Sequence, residues 1–351
     1  MSAQRAAWPR AGADISKLSP HFRPSRDDGI EALRGLAIVL LVGYHAMLFM
    51  PGGERPAEAF HETFRFVRMP LFAALSGWVY ALRQPAFDGA LDFVRRRARR
   101  LLLPLVSFGL VVVFVAQGPL RLEWPGSFAG VVHDLLRPRP HFWFVESLFA
   151  ISLIAFLLDR LGVLGRVRHW AACCLFTLLL PVGATLLGFP PSGSTDAIHG
   201  TIRLLGSFLL GLGALRFGGQ LAGRRTLPVA ITLVALGVAL QHFAWHDLAK
   251  MDTAYGSPLS LLVGAPAVAL LLHYRRPFPG LTWLGAPSFS IYLFHLDSIL
   301  LAGSLLPALE PPFGVAGRYA IVVLTGVALP VLAHFVLIRW TPTRRLFLGM
   351  R

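Results

Sequence analysis

Apolar and polar positions divide the chain into about ten long apolar runs joined by short polar segments. A run of about 17 to 25 apolar residues is long enough to cross the hydrocarbon core of a bilayer as an α-helix. The pattern therefore predicts an all-α, polytopic integral membrane protein with about ten transmembrane helices. The predicted spans are residues 30–50, 66–83, 101–117, 142–158, 170–188, 201–217, 227–244, 258–273, 283–303 and 318–338.

The composition favours the same fold class. Of the 351 residues, 55% are hydrophobic and 15% are charged, and the mean hydropathy is +0.62. A soluble domain of this length would be far more polar. Cys173 and Cys174 are adjacent within an apolar run, which excludes a disulfide framework and a cysteine-based metal site. No His-Glu-x-x-His pattern is present, so neither a metal nor a permanently bound cofactor is predicted.

The distribution of positive charge predicts the orientation of the chain. The formal net charge is +15, and Lys and Arg are enriched in the cytosolic loops of membrane proteins. With a cytosolic N-terminus, about two thirds of the Lys and Arg residues fall in cytosolic segments, and the opposite orientation would invert this ratio. We therefore predict cytosolic tails at residues 1–29 and 339–351 around a transmembrane domain at residues 30–338, without a signal peptide or a nucleic-acid partner.

The first run, GIEALRGLAIVLLVGYHAMLF at residues 29–49, carries two ionisable side chains on one face. Arg34 and His45 are separated by about 20° around a helix and about 16 Å along its axis. Two interpretations of this run are open. Arg34 reaches the lipid head groups while a mid-membrane His45 packs against a neighbouring helix, or the two residues belong to a site that performs chemistry.

An arginine-rich segment, FVRRRARRLLLPL at residues 93–105, directly precedes the third run. Such a cluster often fixes topology or binds anionic lipid. Guanidinium groups also pair with phosphate through two parallel hydrogen bonds. The segment therefore also suits the phosphates of a soluble, nucleotide-containing donor.

Three further runs carry polar side chains at membrane depth. They contain Ser76 in FRFVRMPLFAALSGWVYALR, Trp143 and Glu146 in HFWFVESLFAI, and Tyr292, His295 and Asp297 in SFSIYLFHLD. A carboxylate in hydrocarbon needs a partner, which His45 or an arginine would supply. Helix packing explains Ser76, which lacks the Gly-x-Ser-x-Gly setting of an esterase nucleophile.

Taken together, these stretches resemble acyltransferase family 3, the multipass membrane O-acyltransferases. The first-helix motif of the family, an arginine and a histidine with ten residues between them, is similar to Arg34 and His45. The segment MPLFAALSG is similar to the second-helix motif of the family. Arg97 and Arg100 match its Arg-x-x-Arg element, and HFWFV and SFSIYLFH resemble two later elements. The second phenylalanine of the second-helix motif is missing, and Phe289 stands where tyrosine is common in the family. The FRMPLF-like variant is similar to the branch that modifies glucans and surface polysaccharides.

The resemblance implies transfer of an acyl group, acetyl or alternatively succinyl, from acyl-CoA to a hydroxyl of a carbohydrate, glycolipid or other cell-envelope acceptor. It implies a location in the bacterial plasma membrane. His45 would act as the general base or carry the acyl group, supported by Glu146 or Asp297. Arg34, Arg96, Arg97 and Arg100 would bind the donor, and Ser76, Trp143, Tyr292, His295 and Asp297 would support the substrate or the structure.

A transporter is the alternative from another class of protein. The same intramembrane polar residues would then line a path for protons or substrate. The arginine cluster and the lack of an evident internal repeat favour the enzyme. Residues 118–141 are expected to form either a lid or an ordinary connector, and residues 188–200 and 242–256 carry groups suited to sugars.

Overall fold

The computed structural model describes residues 27–50, 55, 57–83, 89–117, 142–187, 197–221, 226–247, 258–309 and 314–350. Within these ranges the chain forms thirteen α-helices and no strand. They are α1 Asp28–Leu48, α2 Glu58–Thr63, α3 Arg65–Arg83, α4 Ala90–Gln117, α5 Trp143–Arg160, α6 Val167–Leu186, α7 Ala197–Leu221, α8 Thr226–Asp247, α9 Pro258–His273, α10 Pro279–Gly285, α11 Ser288–Leu309, α12 Gly314–Leu337 and α13 Thr341–Leu348. The predicted all-α fold class is confirmed.

Each predicted span coincides with a helix, but the ninth begins too early. The prediction placed its start at residue 283, whereas α10 ends at Gly285 and α11 begins at Ser288. Pro287 contributes to this break because it has no N–H to donate to the preceding turn, although Ala286 before it keeps helical backbone angles.

Six of the described helices are both long and apolar enough to cross a bilayer. They are α1, α6, α7, α8, α11 and α12. Helix α9 is apolar but has 16 residues. The chain is thus a multipass membrane protein, and the total of ten crossing helices stays a prediction.

Helix α1 lies at the centre of the bundle. In the most apolar 18-residue stretch of α1, 72% is buried inside the protein. The corresponding share in α8 is 11%. Glycines let α1 and α10 approach closely, since a Cβ atom at Gly35 would overlap the carbonyl of Leu281 and one at Gly285 would overlap the carbonyl of Glu31. A helix held this closely on several sides is a rigid support for Arg34 and His45.

Helices α3 and α7 form a second close contact beside α1. A Cβ atom at Gly77 would overlap the carbonyl of Phe208, and one at Gly211 would overlap the carbonyl of Ala74. Small residues at such crossings let helix backbones pack tightly in lipid, where no hydrophobic force drives helices together.

A charged network joins α3, α5 and α7 near their arginine-bearing ends. The guanidinium of Arg216 donates to both carboxylate oxygens of Asp159, at 2.6 and 2.7 Å. The hydroxyl of Tyr80 donates to the same carboxylate at 3.2 Å. The side chains of Arg216 and Asp159 are only 15% and 7% exposed, so each charge depends on the other.

Replacing Asp159 with alanine is expected to lower the free energy of unfolding by about 3 kcal/mol, because the substitution leaves the Arg216 charge uncompensated in a buried site. Titration of the purified protein with a denaturing detergent would measure this loss of unfolding free energy. Glu58→Ala is the control, since Glu58 pairs with the exposed Arg55 and such a pair contributes about 1 kcal/mol or less. Equal losses in the two variants would contradict the prediction.

The segment predicted as a C-terminal tail contains a packed helix. Leu348 of α13 is buried, and Gly349 approaches the backbone of Arg99 and Arg100 on α4. Gly349 has a positive φ of 61°, a conformation that glycine adopts without steric cost and that ends the helix.

Candidate active site

The structure brings together two histidines that lie far apart in the sequence. Nδ1 of His45 on α1 is 2.9 Å from Nε2 of His295 on α11. His295 is completely buried, whereas His45 is partly exposed. His45 lies in the last turn of α1, which ends at Leu48. Its depth in the membrane stays a prediction.

The hydrogen bonds around His295 define the protonation of both rings. Nδ1 of His295 is 2.8 Å from the carbonyl oxygen of Tyr292 and 3.1 Å from that of Ile291. Carbonyl oxygens only accept hydrogen bonds, so Nδ1 of His295 carries the proton and Nε2 of the neutral ring is an acceptor. Nδ1 of His45 then donates to His295, which leaves the lone pair on Nε2 of His45. This is the tautomer that a general base requires.

His295 is a partner of His45 at Nδ1. The support of His45 by Glu146 or Asp297 stays a prediction. Asp297 lies two residues further along α11, about 200° around the helix from His295. Glu146 lies in the first turn of α5, and the ring of the nearby Phe144 is 5.7 Å from the ring of Tyr292.

Ser76 and Trp143 make local contacts. The hydroxyl of Ser76 donates to the carbonyl of Phe72 in the preceding turn of α3, at 2.9 Å. Such a bond is typical of a serine within a helix. The ring of Trp143 lies 5.1 Å from the guanidinium carbon of Arg203 on α7, a residue to which the sequence analysis assigned no role.

Four arginines converge at the opposite end of α1. The side chain of Arg100 reaches the surface, but the surrounding protein partly removes its guanidinium from water. This desolvation, followed by the charges of Arg83 and Arg34, lowers the pKa of Arg100 to about 10. Burial and the charge of Arg100 lower the pKa of Arg97 to about 10 as well. Both arginines precede the apolar span of α4, and both are cationic at neutral pH.

Arg34 thus acts on Arg100, whereas it is not among the charges that shift the pKa of Arg97. Donor binding by these arginines stays a prediction. Arg34 also pairs with Glu31 on its own helix, at 2.8 Å. Arg96, predicted to bind the donor, is exposed and is absent from the charges that act on Arg97 and Arg100. Its place in the cluster is taken by Arg83, the last residue of α3, which the sequence analysis did not single out.

Aromatic packing positions Arg97. Its guanidinium lies 5.7 Å from the ring centroid of Phe93. Phe93 stacks on Phe156 at 4.5 Å and meets the edge of Tyr80 at 6.1 Å. Since Asp159 holds the hydroxyl of Tyr80, a chain of contacts connects the charged network of the core to the arginine cluster.

Sequence reasoning missed a second polar group beside His45. Nε2 of the buried His61 on α2 lies 2.7 Å from the hydroxyl of Tyr319, which donates to the carbonyl of Gly43 at 3.3 Å. Burial, followed by the charge of Arg68, lowers the pKa of His61 to about 4. The guanidinium of Arg68 lies 3.8 Å over the ring of Tyr44, the neighbour of His45. The signal available in the sequence was Arg68 itself, which directly precedes MPLF.

Some predicted features lie outside the described residues. They are residues 1–26, the 118–141 segment, His141, and most of the segments at 188–200 and 242–256. Within the part of these segments that the structure describes, Nε2 of His242 lies 2.7 Å from the hydroxyl of Thr63 on α2.

Comparison with known proteins identifies the family of the chain. The family model described as an acyltransferase domain, that of acyltransferase family 3, matches residues 27–335. The chain belongs to this family, and the protein is a membrane-bound acyltransferase. This decides between the two classes considered above in favour of the enzyme.

One curated relative is a protein of Komagataeibacter xylinus named "Putative membrane-bound transacylase BcsY". It is 25% identical to this chain over 317 residues, which cover 81% of this chain and 76% of the relative. No solved structure is significantly similar to the chain.

Proposed function

We propose that this protein transfers an acyl group from cytosolic acyl-CoA to a hydroxyl of a carbohydrate-containing acceptor at the other face of the membrane. One observation carries the proposal. The His45–His295 pair and the cluster of Arg34, Arg83, Arg97 and Arg100 lie toward opposite ends of the same buried helix. A polyanionic donor and an external acceptor need such a separation.

The arginine cluster suits the phosphates of the donor. Arg100 is repelled by Arg34 and Arg83, and Arg97 by Arg100 and Arg83, so an anion bound among these guanidinium groups is favoured. The pantetheine arm of CoA then extends along α1, since Arg34 and His45 are about 16 Å apart along the axis. Acetyl-CoA is the donor proposed first, with succinyl-CoA as the alternative.

Nε2 of His45 acts as the general base. It removes the proton from the acceptor hydroxyl while the oxygen attacks the thioester carbonyl and forms a tetrahedral intermediate. The intermediate collapses with cleavage of the carbon–sulfur bond. The CoA thiolate then takes the proton back from the imidazolium, so that the products are the ester and free CoA. His295 accepts the hydrogen bond from Nδ1 throughout and fixes the orientation of the ring.

A two-step route uses the same nitrogen. Nε2 of His45 attacks the thioester carbonyl, the carbon–sulfur bond breaks, and CoA leaves as the thiolate. The acceptor hydroxyl then attacks the acyl-imidazolium, whose carbon–nitrogen bond breaks to restore neutral His45. The hydroxyl proton neutralises the thiolate through solvent. Incubation with acetyl-CoA alone, followed by mass spectrometry of the intact protein, separates the two routes. A mass increase of one acetyl group that disappears in His45→Gln indicates the acyl-His route.

The proposed acceptor is a surface polysaccharide or a glycolipid, and the proposed location is the bacterial plasma membrane. The family supports an envelope acceptor, and the position of His45 in the last turn of α1 supports access from the side opposite the arginine cluster.

The test follows release of free thiol by the protein in nanodiscs, supplied with acetyl-CoA and a panel of glycans. Release that depends on one acceptor, together with mass spectrometry of the acetylated product, is the expected result. Binding of acetyl-CoA is measured in the same samples. A folded protein that binds no acyl-CoA would refute the proposed donor.

A further inference from the structure

Helix α13 packs mainly against α4, the helix that carries Arg97 and Arg100. It lies beyond residues 27–335, which the family model matches, so membership of the family assigns it no role. Its first turn is tied to the end of α12, because the hydroxyl of Thr343 donates to the carbonyl of Leu337 at 2.8 Å. The helix therefore connects α12 to the arginine-rich segment of α4.

The end of α13 meets the backbone of α4 at Arg99 and Arg100. A Cβ atom at Gly349 would lie 2.6 Å from the carbonyl oxygen of Arg99 and 2.7 Å from Cα of Arg100. Non-bonded carbon atoms pack at about 3.5 to 4.0 Å, so only glycine permits this approach. The position of its Cα atom fixes where the guanidinium of Arg100 can reach. Helix α13 therefore acts directly on the backbone of the arginine cluster.

Two features hold the end of α13 in this position. Gly349 has a positive φ of 61°, and its N–H bonds back to the carbonyl of Arg345 at 3.2 Å, which closes the last turn. The preceding residue, Leu348, is only 3% exposed, whereas Leu346 is 44% exposed. The end of α13 is thus a defined turn that a buried leucine anchors to the protein.

The arginine-rich segment of α4 has a second attachment one to two turns earlier, where Phe93 stacks on Phe156 of α5 at 4.5 Å. Arg97 lies between the two attachments, and Arg100 lies at the contact with Gly349. Guanidinium groups pair with phosphate through two parallel hydrogen bonds, and such bonds weaken steeply when they are misaligned. Loss of the attachment at Gly349 would let the segment tilt about Phe93 and would misalign both guanidinium groups.

We propose that α13 positions Arg97 and Arg100 for the phosphates of the acyl-CoA donor, with Gly349 as the positioning residue, an inference that rests on the proposed function. Gly349 has no side chain that could touch the donor, so it acts through the backbone of α4. If the docked α13 raises the affinity for the donor, the bound donor stabilises the docked α13 by the same factor. The chemical step at His45, toward the other end of α1, is not affected.

The test compares Gly349→Ala with Gly314→Ala in the full-length protein in nanodiscs. Both glycines have a φ of 61°, but a Cβ atom at Gly314 meets no described residue within 4 Å. The control thus introduces the same backbone strain without the clash. Gly349→Ala is expected to raise the Kd for acetyl-CoA about tenfold, because charged hydrogen bonds lose their alignment. The rate at saturating acetyl-CoA should stay within about twofold, and Gly314→Ala should change the Kd less than about twofold.

A second pair of variants removes the attachment without straining a glycine. Leu348→Ser loses the buried anchor and should raise the Kd about tenfold by the same misalignment, whereas Leu346→Ser, on the exposed face of α13, should leave it unchanged. Hydrogen exchange of residues 341–350 is measured in the same samples. Acetyl-CoA should slow this exchange in the wild type and in Leu346→Ser, but not in Leu348→Ser.

Unchanged donor affinity in both Gly349→Ala and Leu348→Ser would overturn the positioning role and leave the proposed donor intact. A saturated rate that falls as much as the affinity would also overturn it, because α13 would then support the fold in general. A folded wild type that binds no acetyl-CoA would instead refute the proposed donor, and this inference with it.

Discussion

Replacing His45 with glutamine is expected to lower the rate of acyl transfer by about 10²- to 10⁴-fold, because the reaction loses its general base. Binding of acetyl-CoA should change by less than threefold, since the proposed phosphate site lies at the other end of α1. Single-turnover thiol release at saturating acceptor measures the first effect, and calorimetric titration with acetyl-CoA measures the second. A variant that keeps the wild-type rate would remove His45 from the chemistry.

The hydrogen bond between the two histidines gives this prediction a matched control. His295→Leu keeps an apolar side chain of similar size but removes the acceptor for Nδ1 of His45, so about a hundredfold loss of rate is expected. His295→Gln places an amide oxygen near the position of Nε2 and should recover a large part of the rate. If the leucine and glutamine variants are equally impaired, His295 acts through packing and not through the tautomer of His45.

Replacing Arg97 and Arg100 together with glutamine is expected to raise the Kd for acetyl-CoA by about 100-fold. A hydrogen bond between charged groups contributes about 1.5 to 3 kcal/mol, and each guanidinium makes at least one such bond in the proposed complex. The rate at saturating acetyl-CoA should stay within a factor of three, because in the proposed complex these residues touch only the donor phosphates. Titration in nanodiscs and initial rates over a range of donor concentrations separate the two parameters.

The arginine segment contains its own control pair. The double variant Arg95→Gln/Arg96→Gln removes two positive charges from exposed positions of the same helix, as many as Arg97→Gln/Arg100→Gln removes. Its Kd for acetyl-CoA should rise by less than threefold. Equal effects of the two double variants would show that the segment attracts CoA only through its total charge. A large fall in the saturated rate of Arg97→Gln/Arg100→Gln would instead connect these residues to the chemical step.

The pattern of apolar residues was sufficient to predict the helices, because a membrane span requires a long run of apolar side chains and the chain has few other long apolar segments. The error at residue 283 arose because apolar content does not report a helix break. Pro287 was visible in the sequence, but only the structure showed that α10 folds back against α1 through Gly35 and Gly285.

The polar site was predicted less completely than the helices. His45 and Arg34 share a face of one helix, which follows from their spacing alone. The resemblance to a family added Arg97 and Arg100. It did not indicate that Arg83 at the end of α3 joins them, because a terminal arginine is common where a helix leaves the membrane.

The sequence by itself determined the fold class, the approximate helix boundaries, the family and the positions of Arg34 and His45 toward the two ends of α1. These depend on local composition and on spacing within one helix. Only the tertiary structure decided that His295 lies within hydrogen-bond distance of His45, and that Arg203 lines a cavity with Trp143. Such contacts join helices far apart in the chain, and they depend on helix packing, which spacing within a single segment does not encode.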